Sequence, residues 1–325
     1  MSLRISVAMC TFNGARFLGE QLESIAAQIR LPDELIICDD NSTDETAEIL
    51  NVFAKNVQFP VRIKINKSTL GATRNFDQAI ALCQCEIIAL ADQDDVWYRH
   101  KLQYIAGIFL RSPETIAVFS DADIIDAKSR SPQGRLWDAQ FFTRKEQRRV
   151  ATGQALDVIL KHPVVTGATL AFRERFRSLI LPVPEDHVHD YWISVLLSAC
   201  GDFQPISESL IQYRQHRDQQ IGPGQGRLPV MERTLSAIKT GRQSYLAEVQ
   251  RFQQIRERLQ ARKGQFPFPS GAIKMVEAKI SHRSARTNLP ELRLLRIPTV
   301  LGEVLNRGYW HYSEGWRSVA KDIFL

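Results

Sequence analysis

Three carboxylates, Asp92, Asp94 and Asp95, close the apolar run of residues 87–91. A run of that length without alternating polar residues reads as a strand buried on both faces, so the acids arrive where a parallel sheet opens into a cleft. At about 3.3 Å of rise per residue, the backbones of Asp92 and Asp94 lie roughly 6 to 7 Å apart. Both side chains can then meet one hard cation, or groups bound to it. No basic residue stands beside the acids in sequence, and such a concentration of charge is costly without a ligand. The plainer reading is an acidic cap on a helix that starts near Trp97.

The acids need elements to hold them. Residues 5–9 form an apolar strand, Asn13-Gly14 turns the chain, and Leu18, Leu22 and Ile25 recur at helical spacing within 17–28. A second strand over 35–38 runs into a polar segment from Asp39 to Asp44, where Ser42 or Thr43 is placed to cap a helix from about 45 to 55. A third strand over 61–66, a turn at Gly71 and a helix over 73–83 precede the strand that delivers Asp92. A helix through Leu102 and Ile105 and a short strand over 116–120 come after it. This alternation predicts an α/β chain with a doubly wound, mainly parallel sheet.

In open sheets of this kind ligands bind beyond the carboxyl ends of the strands. Four successive strand ends here carry polar groups: Thr11 and Asn13, then Asp39 and Asp40, then residues 67–75, then the Asp92 cluster. Asp40 can accept hydrogen bonds from a base or ribose, and Gly71 ahead of Arg74 lets backbone and guanidinium approach phosphates. A divalent cation at Asp92 and Asp94 would bridge a diphosphate. The set describes a nucleoside diphosphate site. Ordinary turn and capping chemistry at each strand end is the competing explanation. No G-x-G-x-x-G follows the first strand, and the chain has no G-x-x-x-x-G-K-[ST] loop.

In order and spacing, Val7-Ala-Met-Cys-Thr11-Phe-Asn13, Ile37-Cys-Asp-Asp40-Asn-Ser-Thr-Asp44, Gly71-Ala-Thr-Arg-Asn75 and Asp92-Gln-Asp94-Asp95 resemble glycosyltransferase family 2, whose members have the GT-A fold. Thr166-Gly167 through Phe172, His189-Asp190-Tyr-Trp192 and Tyr213-Arg-Gln-His216 look like its rhamnosyltransferase-type branch, which assembles bacterial surface polysaccharides such as O-antigen or capsule. The resemblance covers about residues 3–222. It implies that Asp40 contacts the nucleotide base, that Thr11 and Asn13 line its pocket, and that Gly71, Arg74 and Asn75 complete the nucleotide-sugar site. Asp92 would reach ribose or metal, and Asp94 and His216 would ligate Mg²⁺ or Mn²⁺. Asp190 matches the catalytic base, with His189 where the family usually has Glu. The implied donor is dTDP-L-rhamnose, and the implied acceptor a glycan or lipid-linked glycan.

The chemistry supports Asp190 independently. Inverting transfer needs one base to take the acceptor hydroxyl proton while the diphosphate leaves from the opposite side. A hydrolase would need a second, protonated acid, a role that a metal on the leaving group makes unnecessary. The alternative is that Asp190 caps a helix from Tyr191. His216 follows a strand-like 210–213, where a lone histidine is more often a hydrogen-bonding residue than a ligand.

Composition frames the rest. The chain has 325 residues, 44% of them hydrophobic, enough for one large core or a catalytic domain with an appendage. We expect a catalytic domain over 1–222, with a nucleotide-sugar half to about 125 and an acceptor half over 126–222, and a basic helical region over 223–325. Of the 42 Lys/Arg and 36 Asp/Glu, residues 226–325 hold 18 and 8, so the tail carries the positive charge. A break rich in Gly, Gln and Pro at 218–229 precedes it. Tyr245, Val249, Phe252, Ile255 and Leu259 form one helical stripe, and a second helix is expected over about 299–324, with Tyr309, Trp310, Tyr312 and Trp316 among Arg307, Arg317 and Lys321. These suit either an anionic membrane surface, as a peripheral contact, or packing on the catalytic domain or a second subunit in a homo-oligomer. Nucleic acid is a rival partner, but the tail carries no nucleic-acid motif. A nucleotidyltransferase would show a glycine-rich basic loop after the first strand, and Thr11-Phe-Asn-Gly-Ala-Arg16 is a poor match. Cys10, Cys38, Cys83, Cys85 and Cys200 sit in apolar contexts and read as reduced thiols of a cytoplasmic protein. No signal peptide or membrane-spanning run is evident.

Overall fold

The computed structural model describes residues 3–128, 131–216 and 242–324. The expected break at 218–229, and the part of the basic region before 242, lie outside the described residues.

The first half alternates as its hydrophobic pattern requires: β1 (Ile5–Thr11), α1 (Ala15–Ala26), β2 (Glu34–Asp39), α2 (Thr46–Asn56), β3 (Val61–Ile65), α3 (Ala72–Leu82) and β4 (Ile87–Ala91). The short β5 (Val96–Trp97) follows, then α4 (Lys101–Arg111) and the long β6 (Ala117–Asp126). Three helices, α5 (Leu136–Ala139), α6 (Arg144–Ala151) and α7 (Ala155–Lys161), precede β7 (Leu170–Arg173), α8 (Arg177–Ile180), α9 (His189–Ser198) and β8 (Phe203–Gln215). These strands form one sheet in the order β3-β2-β1-β4-β7-β6-β8-β5. Pairing is parallel along β3-β2-β1-β4 and between β6 and β8. Strand β7 runs antiparallel to both of its neighbours, and β5 antiparallel to β8. The sheet is therefore mixed, though mainly parallel.

Alternate side chains feed two cores. Ile5, Val7 and Met9 of β1 pack with Leu18, Leu22 and Leu102 on one face, while Ala8, Ile36 and Leu90 meet Phe76, Ile80 and Trp192 on the other. Both faces are covered, as a largely parallel sheet demands.

Two local expectations fail because tertiary hydrogen bonds claim the residues concerned. No helix begins at Trp97: Val96 and Trp97 pair with Gln212 and Ile211 of β8, the Trp97 N–H donates to Ser24 Oγ at 2.9 Å, and α4 waits until Lys101. Nor does Ser42 or Thr43 cap α2. Ser42 Oγ donates to Asp39 Oδ1 at 2.6 Å and accepts from the Asn13 N–H, while Asp44 Oδ1 accepts from the Thr46 N–H.

The last described region is entirely helical: α10 (Arg242–Ala261), α11 (Ala272–Thr287), α12 (Arg293–Leu305), α13 (Gly308–Tyr312) and α14 (Trp316–Phe324). The stripe of α10 is buried, with Val249, Phe252, Ile255 and Leu259 joining Leu160 and Trp192 in one core. Arg258 fastens it by donating to the carbonyls of Leu179, Ile180, Leu181 and Pro182 and lying over the Trp192 ring. The single helix expected over 299–324 is three, because the backbone turns left-handed at Arg307 (φ 56°) and again at Gly315 (φ 60°). Val300, Tyr309 and Val319 make a small core of their own. On another face of α12, Leu294, Ile297, Leu301 and Leu305 form an exposed stripe, with Leu294 and Leu305 at 79% and 82% exposure. Among the described residues no helix is long and apolar enough to cross a membrane.

Candidate active site

A cleft of about 1930 Å³ opens at the carboxyl ends of the central strands. The Asp92 cluster supplies its floor. Strand β4 ends at Ala91, and the next four residues lie in a loop held from three sides: Gln21 Nε2 donates to the Asp92 carbonyl at 2.8 Å, and Arg214 Nε to that of Asp94 at 2.8 Å. From the third side, the Gln93 side chain clamps the Phe12 backbone at both N–H and C=O.

The three acids separate in role. Asp94 Oδ2 meets His216 Nε2 at 2.8 Å, and the His216 ring packs on Phe17. Asp95 is fully buried, with Oδ1 accepting the Arg214 N–H at 3.0 Å, so it supports the loop and caps no helix. Burial, then the carboxylates of Asp94 and Asp92, raise its pKa well above the usual range. Asp92 lies between. Burial first, then the carboxylates of Asp94 and Asp190, push it up to about 7. The basic partner missing from the local sequence comes from α4. Lys101 is buried over the Trp97 ring, donates to the Ala168 carbonyl and offsets part of the charge on Asp92 and Asp95, while burial lowers its own pKa to about 7.

Asp190 stands in the first turn of α9, with Oδ2 accepting the Gly167 N–H at 3.2 Å. Gly167 permits that approach, since a Cβ there would lie 3.0 Å from His189 Nε2 and 3.5 Å from Asp190 Cβ. His189 stacks on Phe76, centroids 4.1 Å apart, and burial lowers its pKa. A hydrogen bond from Thr73 Oγ1 to the His187 carbonyl ties α3 to the segment leading into α9.

The remaining sequence-derived residues are placed less directly. Thr11 lines the cleft, but its hydroxyl donates to Asp39 Oδ1 at 2.7 Å. Asp40 also lines it, yet its carboxylate accepts from Asn66 Nδ2, the Leu70 N–H and the Gly71 N–H at 2.8 to 2.9 Å. It thus fixes the turn in which Gly71 adopts φ 86° and opens α3. Asn75 is buried, bridging the Cys38 carbonyl and Asn66. Arg74 pairs with Glu185 across the cleft lining. Asn13 stands outside that lining, its Oδ1 accepting the Thr43 N–H. Asn66, Arg214, Lys101 and Gln93 were not singled out from sequence. Gln93 and Arg214 lie within the motifs that carry the family resemblance, whereas Asn66 and Lys101 lie outside them.

Among the described residues no three His, Cys, Asp or Glu side chains are gathered closely enough to cage a metal. Asp94 and His216 nonetheless present a carboxylate oxygen and an imidazole nitrogen to each other, and a cation that takes its other ligands from a diphosphate and water needs few protein groups. The donor set fits such an ion.

The family model described as Glycosyl transferase family 2 matches residues 6–173, slightly more than half of the chain. The chain belongs to glycosyl transferase family 2. An uncharacterized glycosyltransferase of Nostoc sp. is 34% identical over 221 residues, 66% of this chain and 65% of that protein, so the match spans just under two thirds of the relative's length. The dTDP-rhamnosyl transferase RfbG of Shigella flexneri is 37% identical over 226 residues, 66% of this chain and 73% of the relative. Among solved structures, the S. aureus TarS fragment 1–349 in complex with UDP-GlcNAc has a TM-score of 0.57 at 14% identity, covering 92% of this chain and 80% of that one. The mannosyltransferase PcManGT from Pyrobaculum calidifontis, in complex with GDP-Man and Mn²⁺, has a TM-score of 0.53 at 17% identity, covering 99% and 84%. At these identities the likeness is one of fold, which is of the GT-A type.

Proposed function

We propose that this chain transfers a sugar from a nucleoside diphosphate sugar to a hydroxyl of a glycan acceptor in cell-surface polysaccharide synthesis, with inversion at the anomeric carbon. One observation carries the reading: Asp190, the candidate base, lines the same cleft as Asp92 and Asp94, the candidate diphosphate end. Asp94 and His216 would hold Mg²⁺ or Mn²⁺, with Asp92 beside them. When bound, the ion supplies charge neutralisation at the departing diphosphate. Arg74 is placed to exchange its exposed partner Glu185 for a phosphate, at little cost because exposed pairs are weak. Asp40 positions the Gly71 turn, whose backbone faces the same space. Asp190 takes the acceptor proton, and the Gly167 N–H orients its carboxylate. The similarity to a dTDP-rhamnosyl transferase supports dTDP-L-rhamnose as donor, and the Mn²⁺ complex of PcManGT supports a divalent cation.

Acceptors of this kind that carry a lipid are met at a membrane, and the exposed α12 stripe, edged by Arg293, supports peripheral contact at its cytoplasmic face. The test of the donor reading is thermal: dTDP or UDP should raise Tm only with Mg²⁺ or Mn²⁺, and Asp94→Ala should abolish the metal dependence. No metal-linked shift with any common nucleoside diphosphate would overturn it.

A further inference from the structure

The cleft is larger than one small ligand needs. Pockets for such ligands run to about 300–1,000 Å³, against about 1930 Å³ here. The donor reading occupies the acidic end, where Asp40, Asp92 and Asp94 gather. The acceptor must then approach Asp190 from the other side, and that wall is built by the C-terminal helices. Arg251 of α10, Lys279 and Arg283 of α11, Trp310 of α13 and Trp316 and Arg317 of α14 all line the same cavity.

The wall has a definite chemistry. Trp310 and Trp316 stand edge to face, centroids 5.2 Å apart at 88°, and both expose indole surface. Gly315 holds the turn between them, with Trp310 Nε1 3.3 Å from where a Cβ would stand. His311 Nδ1 meets Asp157 at 3.2 Å, tying α13 to α7 of the catalytic half. Flat indole faces suit the C–H faces of pyranose rings. Among the described residues, four basic side chains on this wall face two acidic ones, Glu248 and Glu314. Glu248 is engaged by Arg283 at 2.9 Å and Lys279 at 3.3 Å, whereas Arg251 and Arg317 are exposed. A cleft with one sign of charge in excess concentrates ligands of the other sign.

We propose that the C-terminal helices form the acceptor subsite, and that it takes an anionic glycan: sugar rings on Trp310 and Trp316, the acidic group on Arg251 and Arg317. The proposal rests on the transferase reading above. An acidic sugar residue or a lipid diphosphate would supply the same charge. The experiment titrates the protein, by tryptophan emission, with tetragalacturonate and its methyl ester. A second arm uses a short-chain prenyl diphosphate-linked N-acetylglucosamine and the free sugar. Expected is binding of at least one anionic probe about tenfold tighter than its neutral match, weakened about tenfold in Trp316→Ala and in the double variant Arg251→Ala/Arg317→Ala. The arm that binds names the source of the charge. Equal binding of charged and neutral probes, variants that bind as the wild type does, or no binding in either arm would overturn the subsite. The metal-dependent Tm shift with dTDP or UDP reports the donor end in the same samples, and checks that each variant is folded. A lost subsite with that shift intact is therefore distinct from failure of the transferase reading.

Discussion

Asp190 is the residue on which the chemistry turns. Replacing it by Asn keeps shape and the Gly167 contact but removes the proton acceptor, so transfer should fall about 10²- to 10⁴-fold. The nucleotide-induced Tm shift should stay near the wild-type value, and steady-state rates with a calorimetric donor titration check both halves. A second titration belongs to Lys279, whose pKa burial lowers to about 7. A lysine depressed in the folded state binds fewer protons there than when unfolded, so its contribution to stability rises with pH between about 7 and the ordinary value of 10.5. The difference in unfolding free energy between wild type and Lys279→Met should therefore grow in favour of the wild type across that window. A flat difference in denaturant titrations would contradict it. At this scale the sequence revealed which side chains gather at the strand ends, because the period of the apolar runs places them there. It did not reveal that Asp40, Thr11 and Asn75 are occupied by protein partners, since Asn66 and the Leu70 backbone reach Asp40 and Asn75 only through the folded turn, and Asp39 reaches Thr11 only once β2 pairs with β1.

The first seven alternating elements were legible because each has a single period and a turn signal at its end. Legibility failed where tertiary pairing overrode local preference. Trp97 looked like a helix start and is a strand residue because β8, more than a hundred residues later, hydrogen-bonds it. Strand β7, inserted antiparallel between β4 and β6, has only 4 residues, and the three helices before it give no sign of its direction. The α10 stripe was readable, and its two expected destinations were membrane and protein. The buried Phe252 and Ile255 decide for packing on the catalytic half. Phe252→Ala should cost about 3–5 kcal/mol if the helix and the sheet unfold together. Two separate unfolding transitions, with the sheet unaffected, would show instead that α10 is a detachable appendage.

On the scale of the whole molecule, one cleft joins an acidic end built by β1, β2 and β4 to a basic, aromatic end built by the last helices. The catalytic-base candidate lies between them. Composition located the basic half, but only the fold turns it toward the site. The exposed α12 stripe points elsewhere, and it predicts salt-sensitive sedimentation with anionic vesicles that is lost in Leu294→Glu/Leu301→Glu. Equal sedimentation of wild type and variant would reject membrane contact there. In the proposed reaction the acidic end activates a nucleoside diphosphate sugar. Incubating the protein with a panel of sugar nucleotides in the absence of acceptor, and following release of free sugar and nucleoside diphosphate, tests it most directly. The prediction is slow hydrolysis of one donor, with dTDP-L-rhamnose first in the panel, that stops on chelation and in Asp94→Ala. Absence of hydrolysis across the panel with Mg²⁺ or Mn²⁺ present, or hydrolysis indifferent to chelator, would contradict it.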